Sequence, residues 1–272
     1  MDSTTLQVAA RRYLMERYDE LTRRYAATPV QGPAEDGYRY RSEAGRIVPR
    51  YHVVAAILAQ VERLDPDCLP EPSDLVDVLA EAGDTAGSPS TRSASEAAEV
   101  AAEVEVVAEE RRLFRSALQG WVTAGDLRVE PLPYRRRLTP AESTERQERL
   151  RRRWGLVDRS WHPMLADPTP PDVLVLADAS MWDERGLAEA RAALRRLGGG
   201  RVTELSEDGA DVLVDVETFA PRYAGAEGVW SDDTLSWIAY ASHEGTVAFG
   251  GHLAAALEVG WADVDRWRWS AW

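Results

Sequence analysis

The chain reads as an α+β protein, a helical N-terminal half followed by a smaller α/β C-terminal domain with a mixed sheet containing one βαβ unit. Three observations predict this. Apolar residues recur at three- and four-residue steps through the first half. From Pro171 onward, short apolar runs bounded by Gly and Pro replace them. A length of 272 residues, at about 150 per domain, suits two domains. The expected divisions are a mainly helical domain over 1–120, a connecting segment with an exposed Arg-rich helix over 121–170, and an α/β domain with a Trp-rich end over 171–272.

The first helix is expected to open on Thr4 and Gln7, which have capping-box spacing, and to bury Leu6, Ala10, Leu14, Tyr18, Leu21 and Tyr25 before Pro29. After a Gly- and Tyr-rich stretch, Pro49 suits a first helical turn, followed by the stripe Val53, Val54, Ile57, Leu58, Val61 and Leu64. A short helix from about Pro72 closes at Gly83, and residues 83–93 have loop composition. Ser93 and Glu96 then open a long helix that stops near Gly120. Val100, Val104, Val107, Phe114 and Leu118 are its expected core residues, and the acidic run Glu96–Glu110 its solvated face.

Leu127 to Tyr134, interrupted by Pro131 and Pro133, is expected as an edge strand. Thr139, Pro140 and Glu142 together form the clearest helix start in the chain, for a largely exposed helix ended by Gly155. Val173–Ala177, a helix through Leu187, Ala190, Leu194 and Leu197, and Arg201–Leu205 predict the βαβ unit, with a hairpin strand at Val212–Val216. Ser231–Tyr240 fits either helix or strand, Thr246–Phe249 fits a strand, and His252–Val259 a helix.

All 32 basic residues are arginine. The absence of lysine excludes Walker A phosphate loops, Schiff-base chemistry, protein-kinase sites and serine–lysine hydrolases, each of which needs an amine. A GC-rich coding sequence explains this bias without any function. The net charge of −14 opposes nucleic-acid binding and suits a basic protein partner. A single cysteine, Cys68, rules out an internal disulfide and a cysteine-rich zinc site. With no leader or membrane-spanning run read from the sequence, a cytoplasmic location is expected, and no cofactor.

Asp178 and Ser180 follow an apolar strand and match part of a metal-adhesion pattern, although Trp182 stands where its second serine would be. The structural alternative is helix capping. Asp211, Asp215 and Glu217 fall on one face of a strand, where carboxylates hold hard cations or simply face solvent. Ser242, His243, Glu244 and Gly245 gather a nucleophile, a base and a carboxylate, but immediate neighbours rarely converge, so a turn is the expectation. Arg149, Arg152 and Arg153 lie in a basic helix as anion-site candidates, with i to i+4 pairing as the alternative. Trp267, Trp269 and Trp272 are candidates for partner binding, with a domain core or a homodimer seam as the alternative. The sequence-level expectation is a non-catalytic cytosolic interaction protein, an immunity- or antitoxin-like binder of a basic partner. The alternative is a metal-assisted hydrolase using Asp178 with Asp211 or Asp215.

Overall fold

The computed structural model describes residues 1–28, 42–87, 97–165 and 170–270. The chain is α+β and separates into two compact units, Met1–Leu132 and Pro133–Trp272. Of the stretch 121–170, the part from Pro133 on supplies a strand and a helix to the second unit. No helix among the described residues is long and apolar enough to cross a membrane.

The first unit contains α1 (Ser3–Ala27), α2 (Ser42–Val61), α3 (Pro72–Thr85) and α4 (Ala97–Ala124). Leu6, Leu14, Leu21, Val53, Ile57, Leu75, Leu79, Phe114 and Leu118 form its core. Several ends differ from the local signals. Asp2, not Thr4, caps α1, its carboxylate accepting the Thr5 N–H at 2.7 Å. Pro49 lies inside α2, whose buried Ala44, Ile47 and Val48 extend the apolar face backwards. Gly83 does not end α3: the helix runs on to Thr85, and a Cβ at Gly83 would stand 3.0 Å from the Phe114 ring. Of the loop expected over 83–93, residues 88–93 lie outside the described residues, as do Glu96 and the Val100 side chain.

Of the expected α4 core residues, Phe114 and Leu118 are buried and Val107 packs against the core, whereas Val104 is 63% exposed and Val106 is buried. The buried side of α4 also carries a charge. Glu110 is buried between Arg17 (2.6 Å) and Arg50 (2.6 Å), and Glu109 also pairs with Arg50. Part of the acidic run is therefore an interior fastener, costly to break because one partner's removal strands a buried charge.

In the second unit, β1 (Arg135–Arg137), β2 (Val173–Ala177), β3 (Arg201–Ser206), β4 (Val212–Asp215), β5 (Gly228–Ser231), β6 (Trp237–Ser242) and β7 (Thr246–Gly251) form one sheet in the order β1-β4-β3-β5-β6-β7-β2. Every pairing is antiparallel. The mixed sheet with a βαβ unit is thus a correction: β2 and β3 run the same way, but β7, β6 and β5 lie between them. Hairpins bring β4 to β3, β6 to β5 and β7 to β6, and the longer-range pairs β1–β4, β3–β5 and β2–β7 also close antiparallel, so parallel contact never forms. The edge strand is Arg135–Arg137, just beyond the expected 127–134, and Ser231–Tyr240 contributes strands, not a helix.

One face of the sheet packs against α6 (Ala179–Trp182), α7 (Glu184–Arg196) and α8 (His252–Gly260) through Leu174, Trp237, Phe249, Met181, Leu194 and Leu257. The other packs Ile238, Tyr240 and Val229 against Leu150 of α5 (Pro140–Trp154) and against Leu156, Trp161 and Met164. The α5 start is as its residues predict. The Thr139 hydroxyl accepts the Glu142 N–H at 3.3 Å, and Glu142 accepts the Thr139 N–H at 2.8 Å. Arg136 and these bonds, against some desolvation, hold the Glu142 carboxyl at about 2.

Candidate functional site

Antiparallel pairing sorts the polar residues to the two ends of the sheet. At one end lie the exits of β2, β3 and β6 and the entries of β4, β5 and β7. Asp178, Asp211, His243 and Glu244 belong to this end, whereas Asp215, at the far end of β4, belongs to the other. Four residue steps of strand separate Asp211 from Asp215 by about 13 Å, and five strand positions put Asp178 and Asp211 about 24 Å apart. One cation cannot span either gap.

Each of these carboxylates also has its own partner. Arg159 holds Asp211 through both oxygens, with 2.9 Å on Oδ2, and Asp215 accepts the Tyr134 N–H at 2.7 Å. Glu217 leaves the strand in a 3-10 turn and pairs with Arg195. Among the described residues, no group of three or more potential ligands gathers for a metal. Ser180 is fully buried, and Asp178 makes no side-chain cap; Asp183 caps α7 instead.

The arginine candidates are likewise engaged separately. Arg149 donates to the Asp233 carbonyl at 2.6 Å, Arg152 pairs with Glu148, and Arg153 stacks on Trp154. Trp267 and Trp269 do not share a face, because a 3-10 turn at Val264–Trp267 breaks the extended chain. Trp267 packs on the α7/α8 side and Trp269 on the α5 side. Between them the tail binds the β2 edge, the Trp269 N–H donating to Val175 at 3.1 Å. Trp272 lies outside the described residues.

What the fold does assemble centres on Glu227, a buried carboxylate at the entry to β5 that carries no sequence motif. The Tyr240 hydroxyl donates to one of its oxygens, joined by Ser160 at 3.4 Å. The other accepts the His243 backbone N–H at 3.1 Å, His243 Nδ1 at 2.5 Å and the Ser242 hydroxyl at 3.3 Å. Tyr240 also meets His162 Nε2 at 3.2 Å. Burial opposes the charge on Glu227, but these donors outweigh it and hold the carboxyl at about 2. Burial and the adjacent carboxylate push the Tyr240 phenol up, and hydrogen bonding to Glu227 raises the His243 imidazole.

Ser242 through Gly245 forms the β6–β7 turn, as the spacing predicts, with Gly245 at φ +73°. Ser242 donates to Glu227 and not to His243, so the nucleophile–base bond of a hydrolase is not made here. Gly245→Ala should cost about 1 kcal/mol in urea denaturation, since a side chain is strained at that φ. An unchanged midpoint would mean that the turn relaxes at no cost.

Beside this turn the Asp178 N–H binds the Gly245 carbonyl at 2.9 Å. The Asp178 side chain accepts the Trp182 indole N–H at 2.7 Å and the Tyr223 N–H at 3.3 Å. The Arg222 guanidinium lies 4.3 Å from the centre of the Trp182 ring. Trp182 is nevertheless 52% exposed, a large aromatic held at the surface by Asp178 and Arg222.

Fold and site together define an α+β protein with a carboxylate-centred cluster at one end of an antiparallel sheet. The chain matches no protein-family model, no curated protein and no solved structure.

Proposed function

We propose that this protein is a non-catalytic, cytoplasmic binding protein that holds a basic protein partner in the manner of an immunity or antitoxin protein. The observation that carries this reading is Trp182. An exposed tryptophan fixed by a hydrogen bond and a stacked guanidinium has little rotamer freedom left to lose on binding, the property of an interface anchor. The same end of the sheet supplies attraction for cations: Glu244 is exposed on the β6–β7 tip and Glu207 and Asp208 on the more distant β3–β4 tip, within an overall charge of −14. The dispersal of Asp178, Asp211 and Asp215 favours this reading over a metal-assisted hydrolase that would use them together.

The test is affinity capture from the native cell with mass spectrometry, run side by side on the wild-type chain and Trp182→Ala. The expected result is a stoichiometric basic protein on the wild type, released by salt, with binding weakened by about 2 kcal/mol, roughly 30-fold, in the variant. Absence of such a partner, or equal retention by both chains, would overturn the proposal.

A further inference from the structure

We infer that His243 is a proton-controlled latch at the tip of the β6–β7 hairpin, bridging buried Glu227 and exposed Glu244 when protonated and releasing Glu244 when it loses a proton. The imidazole has two carboxylate neighbours, one on each ring nitrogen. Nδ1 lies 2.5 Å from Glu227 Oε1 and Nε2 lies 3.1 Å from Glu244 Oε1. Both acceptors are carboxylates, which have no proton to give, and a neutral imidazole has only one N–H. The Nδ1 contact is a hydrogen bond, whereas the Nε2 contact is an ion pair without hydrogen-bond alignment, which attracts Glu244 only while the ring carries its positive charge.

Which contact survives deprotonation follows from burial. Glu227 is fixed by Tyr240, Ser160, Ser242 and the His243 backbone N–H, so the remaining ring proton stays on Nδ1. Glu244 has a side chain 60% exposed, and only its backbone N–H is anchored, to the Ser242 hydroxyl at 3.1 Å. A ring lone pair facing its carboxylate leaves that side chain no reason to remain.

The surroundings favour the bridged form. The charged groups acting on the ring are Glu227 from the β5 entry, Glu244 from the same turn and Glu207 from the β3–β4 hairpin, all negative. Tyr240 from β6 spends its proton on Glu227 and faces His162. Arg159 is committed to Asp211, and Asp178 to Trp182 and Tyr223. Loss of the proton makes the tip one charge more negative and frees Glu244; that this strengthens capture of a basic partner rests on the reading proposed above.

The test is NMR titration of the His243 ring and the Glu244 side-chain carboxyl in the full chain, for wild type and Glu244→Gln. A wild-type midpoint above the ordinary 6.5, a Glu244 carboxyl that reports the same midpoint, and a midpoint lower by about 0.3 pH unit in Glu244→Gln are expected. A midpoint at or below 6.5, or one unmoved by Glu244→Gln, would overturn the latch. These readouts need no partner, so a failed capture experiment leaves the latch standing, and a failed titration leaves the binding reading standing.

Discussion

Glu227→Ala is expected to destabilise the second unit by about 3–5 kcal/mol, because it strands several buried groups at once. Tyr240 would lose its acceptor, His243 its ring and backbone partner, and Ser242 its carboxylate. Urea denaturation followed by tryptophan fluorescence reads this unit selectively, since Trp121 is the one tryptophan of the ten before residue 133. Tyr240→Phe should cost less, about 1–2 kcal/mol, through the loss of one bond to a charged acceptor.

The same carboxylate sets an acid limit. Its folded value of about 2 lies below the ordinary 4.5, so its contribution is complete above pH 4.5 and is lost as pH falls toward 2. On the order of 3 kcal/mol of wild-type stability should disappear across that window. A Glu227→Ala chain of near-normal stability with an unchanged acid limb would show that the cluster does not hold this end of the sheet together.

The second large effect runs against local propensity. Gly186 lies in the first turns of α7, where alanine is the better helix former by about 1 kcal/mol, so the sequence predicts that Gly186→Ala stabilises. The structure predicts the opposite. A Cβ there would stand 1.9 Å from the Ser180 carbonyl oxygen and 3.3 Å from the Trp261 ring. The first obstacle is backbone, so the helix must move off α6 and the buried Trp261, at a cost of about 3 kcal/mol or more. A thermal midpoint raised or unchanged in Gly186→Ala would show that the α6–α7 packing has room for the added methyl group.

The features legible along the chain are local ones. Thr139, Pro140, Glu142 and Gly155 specify the ends of α5 because capping and the left-handed stop depend on neighbours within a turn. Alternation specifies Val212 and Val214 as inward, and Gly245 marks the turn beside His243. The heptad-like stripe of α1 likewise identifies Leu6, Ala10, Leu14 and Leu21 as core.

Which strand lies beside which, and with that the site, depends on contacts far apart in the chain. The apolar run of β2 is compatible with a parallel neighbour, but nothing within it encodes that β7 rather than β3 will pair with it. Glu110 reads as one more charge in an acidic run until Arg17 and Arg50 arrive from other helices. Glu227 sits in an unremarkable Ala-Glu-Gly stretch, far along the chain from His162 and Ser160. Its role arises because β5 and β6 pair and the 155–165 segment folds across their face, gathering donors around one oxygen pair that the chain order keeps apart. A buried charge is stable only where such donors converge, and convergence is a property of the fold.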